Sequence, residues 1–349
     1  MKTPYSDLPP ERYWKTGVAE AHPSTIKNLY RKKFTISATD KIATAGSCFA
    51  QHVARHMRNR GYNILDVEPP IDGTPPDLAQ KYGYMIYSGR YGNIYTARQM
   101  LQLLQDAETR TVRDEDIWTK NGRYYDGLRP SVEPAGLASI EEVKAYRLDH
   151  LERVSRLMRE TDVLVFTLGL TETWMNRESG TIYPTCPGVI AGAFDDRLHE
   201  FVNFEFLEIY EDLKKIRKIL KAKNPAMRFL LTVSPVPLTA TASSDHILAA
   251  TMYSKSVLRA VCGSLSKEYA DVDYFPSYEV IASPFSKGFF FEPNMRSITE
   301  MGVETVMKVF FSEHSNVNRP GKDNDRKQRK AKKERDVVCE EVLLEAFSK

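Results

Sequence analysis

The sequence predicts a three-layer α/β fold with a doubly wound, mostly parallel sheet and loop insertions. Two apolar runs of strand length, DVLVFTL at 162–168 and RFLLTV at 228–233, show no alternation, as expected for central strands covered on both faces. Stretches with helical apolar spacing separate the strand candidates, and strands alternating with helices of that length imply parallel order. The strand candidates at 41–45, 162–168 and 228–233 are followed by Gly46, Gly169 and Ser234, where a chain turns toward its next element.

Residues 1–38 carry several prolines and few periodic apolar positions, and read as an extended lead-in packing on the body. Lys41 to Ala45 is the first strand and Gly46 breaks it. Phe49, Val53, Ala54 and Met57 then recur at helical spacing until Gly61. Tyr62 to Val67 resembles a second strand, and Pro69 to Gly92 a long loop rich in Pro, Gly and Tyr. Thr96 to Gln105 is a helix, and 109–139 is an insertion with short strands around Trp118 and Tyr124. Ser139 opens a long helix whose first turn holds Glu141 and Glu142. Helices at Phe204 to Ala222 and Ala249 to Glu268 flank the RFLLTV strand. A short strand at Val272 to Phe275 and a helix at Thr299 to Phe311 close a body spanning 39–315.

At 42% apolar and 27% charged residues, the composition allows a sizeable core and excludes a disordered chain. No apolar run approaches the roughly 20 residues of a spanning helix, and Met1 to Trp14 lacks the apolar centre of a signal peptide. The expectation is a soluble, cytoplasmic protein. Cys48, Cys186, Cys262 and Cys339 lie far apart with no CxxC spacing, so neither a metal site nor a disulfide framework is expected. The net charge of +3 resides wholly in residues 316–349. With a neutral body, no nucleic-acid groove is expected. That tail reads as a charged linker followed by a short helix over Val337 to Phe347, suited to docking, oligomerisation or surface association.

In open parallel sheets, ligands bind beyond the carboxyl ends of the strands. The segments there are Gly46-Ser47-Cys48, Gly169-Leu170-Thr171-Glu172 and Ser234-Pro235. Cys48 and Ser47 enter a helix N-terminus, whose N–H groups can stabilise a thiolate or bind an oxyanion. His246, between the RFLLTV strand and the next helix, is the best-placed histidine of seven to move a proton. His199 follows it, and His52 and His56 are expected to face away from the turn. Lys255 and Arg259, one helical turn apart, suit an anionic group, and Trp174 could stack on a sugar or acyl group.

The segment GSCFA at Gly46 to Ala50 is the naming motif of the GSCFA domain family, which this chain resembles over roughly Pro23 to Phe311. Five further blocks resemble that family in order: YGNIYTARQMLQLL, TLGLTETW, LLTVSPVPLTAT, YSKSVLRAV and YFPSYEV. The resemblance implies an SGNH/GDSL-hydrolase-like, flavodoxin-like sheet. Set against the GDS turn of those enzymes, Cys48 falls at the nucleophile position, with Ser47 as the alternative. Gly92 matches the oxyanion-hole glycine, with Asn93 beside it as an amide donor. Gly169-Leu170-Thr171 replaces the GxN block, Thr171 standing for asparagine, and Glu172 would orient a base or touch substrate. The Asp-x-x-His block is degenerate, with Asn294 and Ser297 at its two positions.

The resemblance implies acyl transfer to a carbohydrate-like acceptor, the expected cytoplasmic setting favours acyl-CoA as co-substrate, and no tightly bound cofactor is expected. An SGNH-like esterase and a non-catalytic ligand-binding protein are the alternatives.

Overall fold

A computed structural model describes residues 3–314 and 340–348. In chain order the regular elements are β1 (Ile42–Gly46), α1 (Phe49–Asn59), α2 (Pro76–Lys81), α3 (Ala97–Thr109), β2 (Ile117–Lys120), β3 (Arg123–Asp126), α4 (Ile140–Glu160) and β4 (Val163–Leu168). They continue with β5 (Glu172–Asn176), β6 (Ile182–Tyr183), β7 (His199–Asn203), α5 (Phe206–Lys223), β8 (Arg228–Val233), α6 (Ile247–Glu268), β9 (Val272–Phe275), α7 (Ser277–Ala282) and α8 (Glu300–His314). The linker expected from Asn316 lies outside the described residues as far as residue 339. Beyond it, Glu340–Phe347 is a 3-10 helix.

The central sheet is parallel in the order β1-β4-β8-β9. Side chains alternate across it into two cores. Ala43, Leu164, Phe166, Phe229 and Leu231 face one way and pack with α3, α4, α5 and α6 through residues such as Leu104, Val154, Ile216 and Leu258. Ile42, Val163, Val165 and Leu230 face the other way and meet Phe49, Val53 and Met57 of α1, Val280 of α7 and Phe310 of α8. Helices therefore cover both faces of the sheet, in three layers. The lead-in contributes Tyr30 and Ile36 to the second core, and the Tyr30 hydroxyl donates to Asp273 at 2.8 Å.

The strand expected over Tyr62 to Val67 reduces to a single parallel bridge, Ile42 to Ile64. The segment leaves β1 because Val67 N–H is bonded instead to the Ser88 carbonyl, while Asp66 caps the Glu68 N–H. Counting that bridge, the order runs from the segment at Ile64 through β1, β4 and β8 to β9, with its reversal between β1 and β4. Such a reversal splays the following segments to opposite faces and leaves a crevice at the carboxyl ends of the two strands.

The insertion after Ile117 forms the β2-β3 hairpin, as anticipated near Trp118 and Tyr124. The three-stranded antiparallel sheet β6-β5-β7 was not anticipated. Its strands are short or rich in polar residues, so their alternation is weak in the sequence.

Candidate functional site

The turn after β1 is dictated by one close approach. Gly46 has φ +137°, and a Cβ there would lie 2.3 Å from the Thr167 carbonyl oxygen of β4. Ser47 N–H then donates to that same carbonyl at 3.0 Å. Cys48 follows as the N-cap residue of α1, 6% exposed, and its side chain makes no capping bond. The Ser47 hydroxyl is buried without a hydrogen-bond partner among the described residues.

Residues 87–95 clamp the crevice. Ile94 N–H donates to Gly46 O, and the Tyr95 carbonyl accepts from both Gly169 and Leu170 N–H. Gly92 takes φ +69°, a conformation glycine adopts without strain. Asn93 is buried, and its Oδ1 accepts from the Tyr87 hydroxyl at 2.5 Å and from Gln51 Nε2 at 3.3 Å. Those two bonds fix the amide so that Nδ2 points away from them, and Nδ2 donates to the carboxylate of Glu340. The same carboxylate accepts from the Tyr95 hydroxyl at 2.9 Å and from the Ser131 hydroxyl at 2.5 Å.

Lys255 enters from α6. It is 1% exposed, and its Nζ donates to the Gly169 carbonyl at 2.6 Å. Burial lowers its pKa to about 8, against the opposing pull of Glu341 and Cys48, with Arg296 adding a further downward push. Cys48 thus lies close enough to Lys255 for their charges to act on each other. It acts likewise on Tyr87, whose hydroxyl burial already holds well above its ordinary pKa.

The depressed pKa of Lys255 has a measurable consequence. Below about pH 8 the amine is protonated in the folded and unfolded chain alike, and burying the charge costs stability. From about 8 to the ordinary 10.5 the unfolded chain still holds the proton that the folded chain has released, so stability rises with pH there. Relative to Lys255→Met, the wild type should gain on the order of 3 kcal/mol across that window. Urea unfolding of both proteins at intervals across it checks this, and a flat difference contradicts it.

The remaining expected site residues are dispersed. Thr171 donates its hydroxyl to Asn203 at 2.6 Å, and its N–H to the Ser254 hydroxyl. Glu172 begins β5 instead of sitting in a loop, accepts from the Thr241 hydroxyl at 2.8 Å, and has its pKa raised by burial. Trp174 lies edge-on between Phe194 and Phe201, at 5.2 and 5.8 Å. His246 is exposed and caps α6, its Nδ1 accepting Leu248 N–H at 3.2 Å.

Arg259 pairs with Glu279 and lies 4.1 Å over the Tyr274 ring, so it does not share an open anionic face with the buried Lys255. Asn294 and Ser297 form an exposed turn in which Asn294 Oδ1 accepts the N–H groups of Arg296 and Ser297. That turn presents Arg296, which pairs with Glu341 at 3.2 Å. His199, at the start of β7, accepts Asp195 N–H, and burial lowers the His52 pKa to about 3.

Sequence reasoning missed Tyr87, Tyr95, Ser131, Arg296, Glu340 and Glu341. The available signals were Tyr95 two residues beyond Asn93, and an acidic pair within an otherwise basic tail. Among the described residues, no helix is long and apolar enough to cross a membrane, and no His/Cys/Asp/Glu group is placed to hold a metal ion. A model described as the GSCFA family matches residues 41–310. No curated protein and no solved structure matches the chain.

Proposed function

This chain belongs to the GSCFA family, and from that premise we propose that it is an SGNH-like acyltransferase working through Cys48 as nucleophile and Lys255 as proton carrier. The observation that carries the reading is a cysteine at a helix N-terminus within charge reach of a buried lysine whose pKa is about 8. A lysine so tuned can exchange a proton near neutral pH, so the missing Asp-x-x-His pair does not exclude chemistry here.

In the fraction of molecules whose Lys255 is neutral, which grows as pH nears about 8, the Cys48 proton passes to its amine, and the thiolate attacks the carbonyl carbon of an acyl thioester, for which acyl-CoA is the proposed donor. The donor's carbon–sulfur bond breaks, and its sulfur takes the proton back from Lys255. An acceptor hydroxyl, carbohydrate-like in this reading, then gives its proton to the neutral Lys255 amine and attacks the acyl carbon. Cys48 leaves as thiolate. The first N–H groups of α1 are the proposed oxyanion donors, in place of Thr171, whose hydroxyl is engaged with Asn203, and of Asn93, whose amide is engaged with Glu340.

Intact-mass measurement after incubation with acetyl-CoA tests this. One acetyl adduct mapping to Cys48 is expected, absent in Cys48→Ala and formed roughly 100-fold more slowly in Lys255→Met. An adduct that persists in Cys48→Ala and disappears in Ser47→Ala moves the role to Ser47. No adduct in the wild type overturns the reading.

A further inference from the structure

We propose that the crevice contains a binding subsite for a ligand with paired carboxylates, held in this structure by the chain's own Glu340 and Glu341. The reading under "Proposed function" enters only in placing this subsite beside Cys48. Three neutral donors from two segments of the body converge on Glu340: the Asn93 amide and the Tyr95 hydroxyl from one, and the Ser131 hydroxyl from the other. Glu341 meets the Arg296 guanidinium and lies within charge reach of Lys255.

The donors are positioned by the body and not by the tail. Asn93 is oriented by Tyr87 and Gln51, and the Tyr95 backbone N–H is held by Gln99 Oε1 at 2.9 Å. A Cβ at Gly92 would lie 3.6 Å from the Glu340 carboxylate and 3.7 Å from the Ser131 hydroxyl, so the loop leaves room for the carboxylate.

Neutral, buried donors beside two cations recognise a carboxylate by hydrogen-bond geometry and charge together. A neutral isostere would leave Lys255 and Arg296 without their counter-charge in a buried place, which is costly. The tail contact is intramolecular, so a free ligand competes with a segment present at an effective concentration on the order of millimolar. The same two residues thereby set a threshold for ligand entry.

Calorimetric titration of the full chain tests this. The probes are the blocked dipeptide acetyl-Glu-Glu-amide and digalacturonate, each with its neutral counterpart, acetyl-Gln-Gln-amide or digalactose. The double variant E340A/E341A should bind at least one acidic probe about ten-fold or more tightly than the wild type does, and should bind neither neutral counterpart. Which acidic probe binds tells whether peptide or sugar carries the carboxylates. Equal affinity in variant and wild type, no binding of either acidic probe by the variant, or equal binding of the neutral probes overturns the proposal. Should the alanines impair folding, E340Q/E341Q carries the same expectation. The titration contains no acyl donor, so failure of this subsite is read separately from failure of the acyl chemistry, which the acetyl adduct measurement reports.

Discussion

Gly46→Ala should destabilise the protein by about 4 kcal/mol or more, a large share of the roughly 5–15 kcal/mol that holds a typical folded chain together. Two independent causes act at one atom. An L-residue at φ +137° is strained wherever it stands, at about 1–3 kcal/mol. The added Cβ would also lie 2.3 Å from the Thr167 carbonyl oxygen and 2.8 Å from its nitrogen. Neither contact is with a flexible side chain, so relief requires moving β1 away from β4. That movement breaks the Ser47 N–H bond to Thr167 O and shifts Cys48 out of the crevice. Urea unfolding is the check, and a loss under about 1 kcal/mol would falsify the claim that this approach holds the turn.

The position of that turn was legible in the sequence because several local signals coincide on it. A short strand, a glycine and a helical apolar period meet within Ile42 to Met57. The buried strands at 163–168 and 228–233 were legible for the same reason, since continuous apolar runs admit few readings. The strand at Tyr62 to Val67 was not, because its alternation is real but its partners are chosen elsewhere. Val67 bonds to Ser88, a pairing set by the loop and invisible in the local pattern.

The site divides in the same way. Residues contributed just beyond strand ends, such as Cys48 and Gly169, can be found by topology alone. Lys255 was named on helical spacing, yet what distinguishes it is its burial against Gly169, which spacing does not encode. Periodicity placed it beside Arg259, although Arg259 turns to Glu279 and Tyr274. His246 lies between the 228–233 strand and the next helix, near the active face that topology predicts, and an exposed cap is what such a position commonly yields. Glu340 and Glu341 lie far along the chain from Asn93 and Lys255, and only the fold brings them together.

Glu68→Gln should cost about 3 kcal/mol, because Glu68 is the counter-charge of a buried network on which the crevice loop rests. Its carboxylate accepts from His150 Nδ1 at 2.8 Å and from Arg90 N–H at 2.5 Å, and lies 3.7 Å from Arg129. Arg129 pairs with Asp126, and Arg147 links Asp126 to Asp106 on α3. Burial pushes His150 down to about 4 and keeps it neutral, so that it serves as a hydrogen-bond donor. Burial alone would raise Glu68, but its bonds and the Arg129 charge hold it below the ordinary carboxylate value of 4.5.

A carboxylate depressed in the folded state stabilises above its unfolded pKa, and that contribution is lost as pH falls toward its folded pKa. The wild type should therefore exceed Glu68→Gln most clearly above about pH 4.5, with the gap closing as acid is added. Arg129 also donates to the Arg90 carbonyl, two residues before Gly92, and stands close to Gly92 itself. Loss of Glu68 should consequently loosen Asn93 and Tyr95 without touching either. Unfolding titrations at successive pH values check the first effect, and slower acetyl adduct formation at Cys48 the second. A variant as stable as the wild type at neutral pH would show that Asp126 alone suffices to hold Arg129.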